Sequence, residues 1–321
     1  MKRYITDNNI DKLILVSRTK KFEPCVLEKY GVETTDFVDF ETITVDLGKA
    51  SNLERLREYD VSVIIHSAGT LGGTNISKKA LLWSNFHTTK NIVDYYSKTG
   101  SIEQLVFISS FGVLGPIPLS KIPADETFPY NPSNAYEESK MLAERYVLIS
   151  DLPYTVIRPE FVYGPGDTHV LPLFKSAISG NFILINQGRS YLHPTYVDDL
   201  IMGVGLCIKN KKALGEIFNI VGQRYLTVKE LAETIYFAFH KRKFAFRNVS
   251  KRSISLLARV ADALNKIFKT NFPLSTDRVR FFTENRAADY TKAINILGYR
   301  PIPLNEGMSK TIMWHVKNGY L

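Results

Sequence analysis

Apolar residues in the first half of the chain fall in short, nearly unbroken runs at 13–16, 61–65, 105–108 and 154–157. Runs of four or five without polar alternation predict strands buried on both faces, as in a parallel sheet covered by helices. The segments 80–98 and 134–149 between them read as crossover helices. The second has a good start: Asn134 is an N-cap residue, Glu137 stands three positions on, and Pro132 precedes both. Such alternation predicts an α/β fold with a doubly wound parallel sheet over residues 1–165. Beyond it the rhythm changes, and 166–321 reads as a smaller α/β lobe with some segments returning to the sheet. There Thr227 and Glu230 have capping-box spacing and open a helix to about His240. Residues 253–268 place Leu256, Leu257, Val260, Leu264, Ile267 and Phe268 on one helical face. That face predicts packing on the second lobe, with a membrane-surface helix as the alternative.

Composition adds limits. The chain has 321 residues, 45% of them hydrophobic, enough for a large core or two unequal lobes. It has no apolar run of the ~18 residues that a membrane span requires. Polar residues within Met1-Lys2-Arg3-Tyr4-Ile5-Thr6-Asp7 interrupt any secretory leader, and the two cysteines, Cys25 and Cys207, lack metal-ligand spacing. A cytoplasmic protein with reduced thiols and no metal is expected. The net charge of +9 would attract anionic partners. Its densest stretch, His240-Lys241-Arg242-Lys243 continuing to Arg247, Lys251 and Arg252 with Phe244 and Phe246 interleaved, reads as the basic end of a helix followed by a strand. A nucleic-acid patch is the less favoured reading.

The candidate chemistry lies in Tyr136-Glu-Glu-Ser-Lys140 and in the Ser109-Ser110 pair, with Ser110 26 residues before Tyr136. A phenol has an ordinary pKa near ~10. A lysine one helical turn on can favour the phenolate, and a serine hydroxyl can hold a substrate oxygen while the tyrosine moves its proton. Ser110, Tyr136 and Lys140 are therefore the candidate catalytic residues, suited to hydride and proton transfer at a carbinol carbon.

Around them stand further stations in a fixed order: Asp46-Leu47, His66-Ser67-Ala68-Gly69, Asn85, Phe107-Ile108-Ser109-Ser110, Arg158-Pro159-Glu160-Phe161-Val162-Tyr163-Gly164, Tyr196-Val197-Asp198-Asp199 and Leu297-Gly298-Tyr299-Arg300-Pro301. With these the chain resembles the extended short-chain dehydrogenase/reductases, the NAD(P)-dependent epimerase/dehydratase group, over nearly its whole length. The resemblance implies a Rossmann-like domain and a substrate lobe. It implies cofactor contacts at Arg18, Asp46, Leu47, Ser67, Ala68, Gly69, Asn85, Ser109, Tyr136, Lys140, Pro159 and Val162. It also implies substrate contacts at Thr70, Ser110, Phe111, Tyr163 and Arg189, and a homodimer through the helices holding Asn85 and Tyr136, with Leu82, Phe86 and Tyr146 as apolar contacts or core. His66 is expected to pack at its strand end, and Asp198 and Asp199 to cap the following helix.

The family pattern opens with a strand and a Gly-x-x-Gly-x-x-Gly turn that holds the pyrophosphate. Here the first glycine is Gly31, and Met1 to Asn9 reads as the second half of the helix that follows such a turn. The resemblance thus implies a first strand absent from this sequence, about twenty residues short, as in a late start, a fragment, or a homologue that has lost cofactor binding. At the end of the run 13–16, Ser17-Arg18-Thr19-Lys20-Lys21 carries no acid, which favours NADP slightly over NAD. Dehydratases of the family carry an Asp-Glu pair after the serine; Phe111-Gly112 stands there, which argues against elimination of water. The expected substrate is a nucleotide sugar or related small molecule. A sterol-type or flavonol-reductase-like dehydrogenase is the alternative, and a non-catalytic cofactor-sensing or RNA-binding homologue the reading from another class.

Overall fold

The computed structural model describes residues 12–19, 40–72, 76–100, 102–268 and 274–321. Strand β1 (Leu13–Ser17) pairs in parallel with β2 (Phe40–Thr44). Three more strands, β3 (Val63–His66), β4 (Gln104–Ile108) and β5 (Tyr154–Arg158), lie side by side in parallel, and β6 (Glu216–Asn219) joins them on the far side of β5. The four-stranded sheet therefore has the order β6-β5-β4-β3, and β1-β2 form a separate two-stranded sheet among the described residues. The expectation for Met1 to Asn9 lies outside those residues.

Side-chain alternation explains why the central strands read as unbroken apolar runs. Leu105 and Phe107 of β4 and Val156 of β5 face a cluster with Ile92, Val93, Tyr96, Ala143 and Val147. Val106 and Ile157 face the opposite cluster with Phe218, Ile220, Leu297 and Tyr299. Both faces of the sheet are covered, so every position on these strands must be apolar or satisfied. Between β3 and β4, helix α1 (Lys78–Leu81) runs through a π-helical turn (Leu82–His87) into α2 (Thr88–Thr99), which ends at Gly100 in the left-handed conformation. Helix α3 (Ala135–Leu148) follows β4; Asn134 accepts the Glu137 N–H at 3.0 Å, as its sequence predicts. The Glu137 carboxylate reaches back to the Ser133 N–H at 2.7 Å.

After β5 the chain builds a second core around Phe174, Leu192, Leu231, Ile235, Met308 and Ile312. Its helix α4 (Val228–His240) starts at Thr227 with both capping-box bonds in place. Asp199 does not cap its own helix: its carboxylate accepts the Ile302 N–H at 3.0 Å and ties that helix to a segment 103 residues later. Helix α5 (Lys251–Phe268) departs further from expectation. Among its described side chains Ala258, Ala261 and Asn265 are buried, while Leu256, Leu257 and Val260 stand 65%, 57% and 51% exposed. The strip expected to pack on the lobe points outward at these three positions, because the helix approaches the body through its small side chains. Among the described residues no helix is long and apolar enough to cross a membrane.

Candidate active site

The C-terminal ends of β3, β4 and β5 deliver the site, as they do in open α/β sheets. From β4 the chain passes Ser109 and Ser110 into a short 3-10 turn (Phe111–Leu114), where Ser110 Oγ accepts the Gly112 N–H at 3.1 Å. Tyr136 lies in the first turn of α3 and is half-buried. Gly112 permits this approach: a Cβ there would meet Glu137 Cγ at 3.1 Å and Ser110 Oγ at 3.2 Å. Burial pushes the Tyr136 phenol up to about 12; the Ser110 hydroxyl pulls it down, and Glu160 and Glu137 push it up again.

Lys140 is buried and donates to the Ile108 carbonyl at 2.6 Å, with its ammonium 4.5 Å from the centre of the Phe107 ring. Burial lowers it to about 8, opposed by Glu144. In this arrangement Lys140 is spent on the end of β4, and the phenol is governed by burial, Ser110 and two carboxylates.

After β3, Ser67, Ala68 and Gly69 are exposed and Thr70 half-buried. Asn85, 1% exposed in the π-helical turn, clamps this loop: its Oδ1 accepts the Thr70 N–H at 2.7 Å, and its Nδ2 donates to the Thr70 carbonyl at 3.0 Å and to Ser139 Oγ at 2.9 Å. Ser139 in turn donates to the Tyr136 carbonyl at 2.7 Å. One polar chain thus fixes the loop after β3 relative to the first turn of α3. His66 packs as expected, its Nε2 2.9 Å from Thr89 Oγ1, and burial lowers it to about 3, helped by Lys140.

Other expected residues occupy different roles. Ser109 is buried and donates to Glu144. Phe111 and Tyr163, expected at the substrate, are core: Phe111 is fully buried among Val113, Leu114 and Ile117, and Tyr163 is 2% exposed against Phe174 and Tyr196. Their place in the sequence pattern did not reveal that their rings turn inward. Arg189 is exposed and bonded to Gln187 at 2.5 Å. Asp46 and Leu47 follow β2, where Asp46 Oδ1 accepts the Gly48 N–H at 3.1 Å and the Leu47 carbonyl accepts Asn91 Nδ2 at 3.0 Å. Arg18 is exposed at the end of β1. Pro159 is buried, and its carbonyl accepts the Phe111 N–H at 2.9 Å; Val162 pairs with Thr195 in a short parallel ribbon.

Glu137 and Glu160 act on the Tyr136 phenol, and Arg286, which the sequence did not single out, joins them. Arg286, 4% exposed, bonds Glu137 at 2.7 Å, and its Nε–H has no acceptor. Glu160 is 5% exposed; burial raises it to about 7, with Arg286 lowering it and Glu137 raising it. The next residue, Phe161, takes a φ of +36°, a conformation that bulky side chains avoid, so the turn carrying Glu160 is strained. Glu160 sits inside a recognisable motif, but nothing local links it to Arg286.

The loop after β3 is compatible with the dinucleotide that the resemblance implies. Ser67 to Gly69 are exposed beside the Asn85 clamp, and Gly69 leaves a space that a Cβ would fill, meeting Asn85 Oδ1 at 2.8 Å. Residues 1–221 match the sequence profile of the NAD dependent epimerase/dehydratase family. The N-acetyl-alpha-D-glucosaminyl-diphospho-ditrans,octacis-undecaprenol 4-epimerase of Escherichia coli O157:H7 is 26% identical over 237 residues, 72% of this chain and 70% of that protein. The decarboxylating sterol-4-alpha-carboxylate 3-dehydrogenase of Schizosaccharomyces pombe is 27% identical, over 86% of this chain and 84% of that one. Among solved structures, the UDP-glucuronic acid 4-epimerase of Bacillus cereus in complex with NAD shares the fold with a TM-score of 0.73 at 17% identity, covering 100% of this chain and 95% of that one.

Proposed function

The chain belongs to the NAD dependent epimerase/dehydratase family, and on that premise we propose that it is an NAD(P)-dependent epimerase or oxidoreductase acting at a carbinol or carbonyl carbon of a nucleotide sugar or related small molecule. The observation that carries this reading is the polar chain Thr70–Asn85–Ser139–Tyr136, which fixes the loop after β3 against the first turn of α3, with Ser110 beside the phenol. The nicotinamide supplies hydride transfer when bound; Ser67, Ala68, Gly69 and Asn85 would hold its side of the site.

Ser110 orients the substrate oxygen, and Tyr136 holds or moves the proton on it. With its phenol pushed up to about 12, Tyr136 is a proton donor at neutral pH, matched to reduction of a carbonyl; the reverse direction needs the phenolate to be favoured. Lys140 is one helical turn away and is the residue that would do so on leaving the Ile108 carbonyl. Phe111 and Gly112 leave no acid directly after Ser110, which supports epimerisation or oxidation over dehydration.

Tyr136→Phe is expected to abolish turnover of UDP-sugars while nucleotide binding persists; retained turnover removes the assignment. A sterol-type oxidation is the second reading, favoured by the fission-yeast relative, and turnover of a sterol carboxylate with none of UDP-sugars would select it. Arg18 at the end of β1 is the support for NADP, and equal affinity for 2′-phosphorylated and unphosphorylated adenosine nucleotides would remove that preference. The proposal includes a homodimer through α2 and α3, checked by sedimentation; Phe86 and Tyr146 also contact each other within one chain, with ring centres 6.0 Å apart.

A further inference from the structure

Over residues 256–261, helix α5 turns its large apolar side chains outward and its small ones inward. Among its described side chains the buried ones, Ala258, Ala261 and Asn265, are small or polar, whereas Leu256, Leu257 and Val260 are more than half exposed. An apolar strip that faces water at this length costs solvation energy unless something covers it.

The charges around the strip say what that is. Lys251, Arg252 and Arg259 are exposed. Together with Asn186, Ser250, Ser255 and Leu256 they line a cavity of about 650 Å³ that contains no acidic side chain. The sole acid of the helix, Asp262, accepts the Thr276 N–H at 3.0 Å. Lys241, Arg242, Lys243 and Arg247, also exposed, lead into the helix along the chain. A cationic, acid-free hollow that abuts exposed leucine suits a phosphate joined to an acyl chain. A protein partner fits less well, because three side chains offer far less than the roughly 800 Å² per side that a stable complex buries. RNA would use the cations and leave the aliphatic strip uncovered.

We propose that α5 seats this protein on an anionic bilayer surface, with Leu256, Leu257 and Val260 entering the boundary between headgroups and acyl chains and Lys251, Arg252 and Arg259 meeting lipid phosphates. At ~1.5 Å per residue the helix is about 27 Å long and lies in the plane of the surface.

The test is flotation of the 321-residue chain with vesicles of phosphatidylcholine alone or with about 30 mol% phosphatidylglycerol, at low and high salt. Preferential binding to the anionic vesicles, weakened by salt, is expected. Arg252→Gln with Arg259→Gln removes two cations worth roughly fivefold each, so binding should fall about 25-fold. Leu256→Asn, Leu257→Asn and Val260→Asn together should reduce it at least about tenfold. All five side chains are exposed, so circular dichroism and the thermal midpoint should match the parent and separate lost docking from lost folding. Equal partitioning to neutral and anionic vesicles, or anionic binding unchanged in the apolar triple variant, overturns the proposal. So does salt-sensitive binding to single-stranded RNA in the absence of vesicle binding.

Discussion

Glu144→Gln tests the packing logic beneath the site. Glu144 and Arg158 have side chains 0% and 2% exposed and meet at 2.5 Å. At that 2.5 Å separation and an effective dielectric near 20, their gross attraction is about 7 kcal/mol, much of it offset by desolvation. The carboxylate also accepts the Tyr130 hydroxyl at 2.7 Å and the Ser109 hydroxyl, while Arg158 bonds the Glu126 carbonyl at 2.9 Å. One ion pair therefore ties the end of β4, helix α3 and the end of β5 together. Glutamine keeps the shape and removes the charge, leaving the buried guanidinium uncompensated. A loss of about 3–5 kcal/mol is expected, a large share of the ~5–15 kcal/mol that holds a protein folded. Urea denaturation measures it: with a slope of ~3 kcal/mol/M, the midpoint should fall by about 1–1.7 M. Replacing both residues with leucine should recover most of the loss, since a buried pair exchanged for apolar groups is near neutral. A Glu144→Gln midpoint within about 0.3 M of the parent, at unchanged slope, would refute the reasoning.

Glu160 titrates near 7 in the fold against an ordinary 4.5, so between those values the native state holds a proton that the unfolded chain has lost, and stability falls as pH rises through that window. Glu160→Gln should flatten the decline between pH 5 and pH 8 in denaturation midpoints, and an unchanged decline would show that another group causes it. Asn85→Ala leaves the Thr70 N–H without its acceptor at a cost of about 1–3 kcal/mol and should speed hydrogen exchange at that amide; unaltered protection would mean that the loop is held by other contacts.

Local signals made much of this molecule legible. The buried strands announced themselves by unbroken apolar runs, and Asn134 and Thr227 marked their helices because an N-cap acts within four residues. Ser110 and Tyr136 could be paired from their place in the family pattern, and the Ser110 hydroxyl does reach the phenol across an irregular stretch that no local signal describes. Side-chain direction was harder to read. Phe111 and Tyr163 hold the expected places in the chain, yet their rings complete two cores. The strip on α5 was visible as a face, but periodicity says only that a face exists and not which way it looks. Arg286 meets Glu137 from far along the chain, and Asp199 meets Ile302; contacts of this kind depend on the tertiary path and leave no local trace.

The π-helical turn at Leu82–His87 has a consequence for insertions and deletions. It holds one residue more than an α-helical path requires, and two hydroxyls accommodate it: Thr88 Oγ1 donates to the Trp83 carbonyl at 3.3 Å and Thr89 Oγ1 to the Asn85 carbonyl at 2.6 Å. Deleting a single residue there would let the two helical segments fuse into one regular helix, a change that is mild for the backbone. Every side chain on one side of the deletion would then rotate by roughly 100° relative to the other. Asn85 would turn away from Thr70 while Ile92 and Val93 kept their seats on the sheet. Related chains that differ in length by one residue at this point would thus share the helix and its packing without sharing the clamp, and counting residues across the turn would tell the two kinds apart.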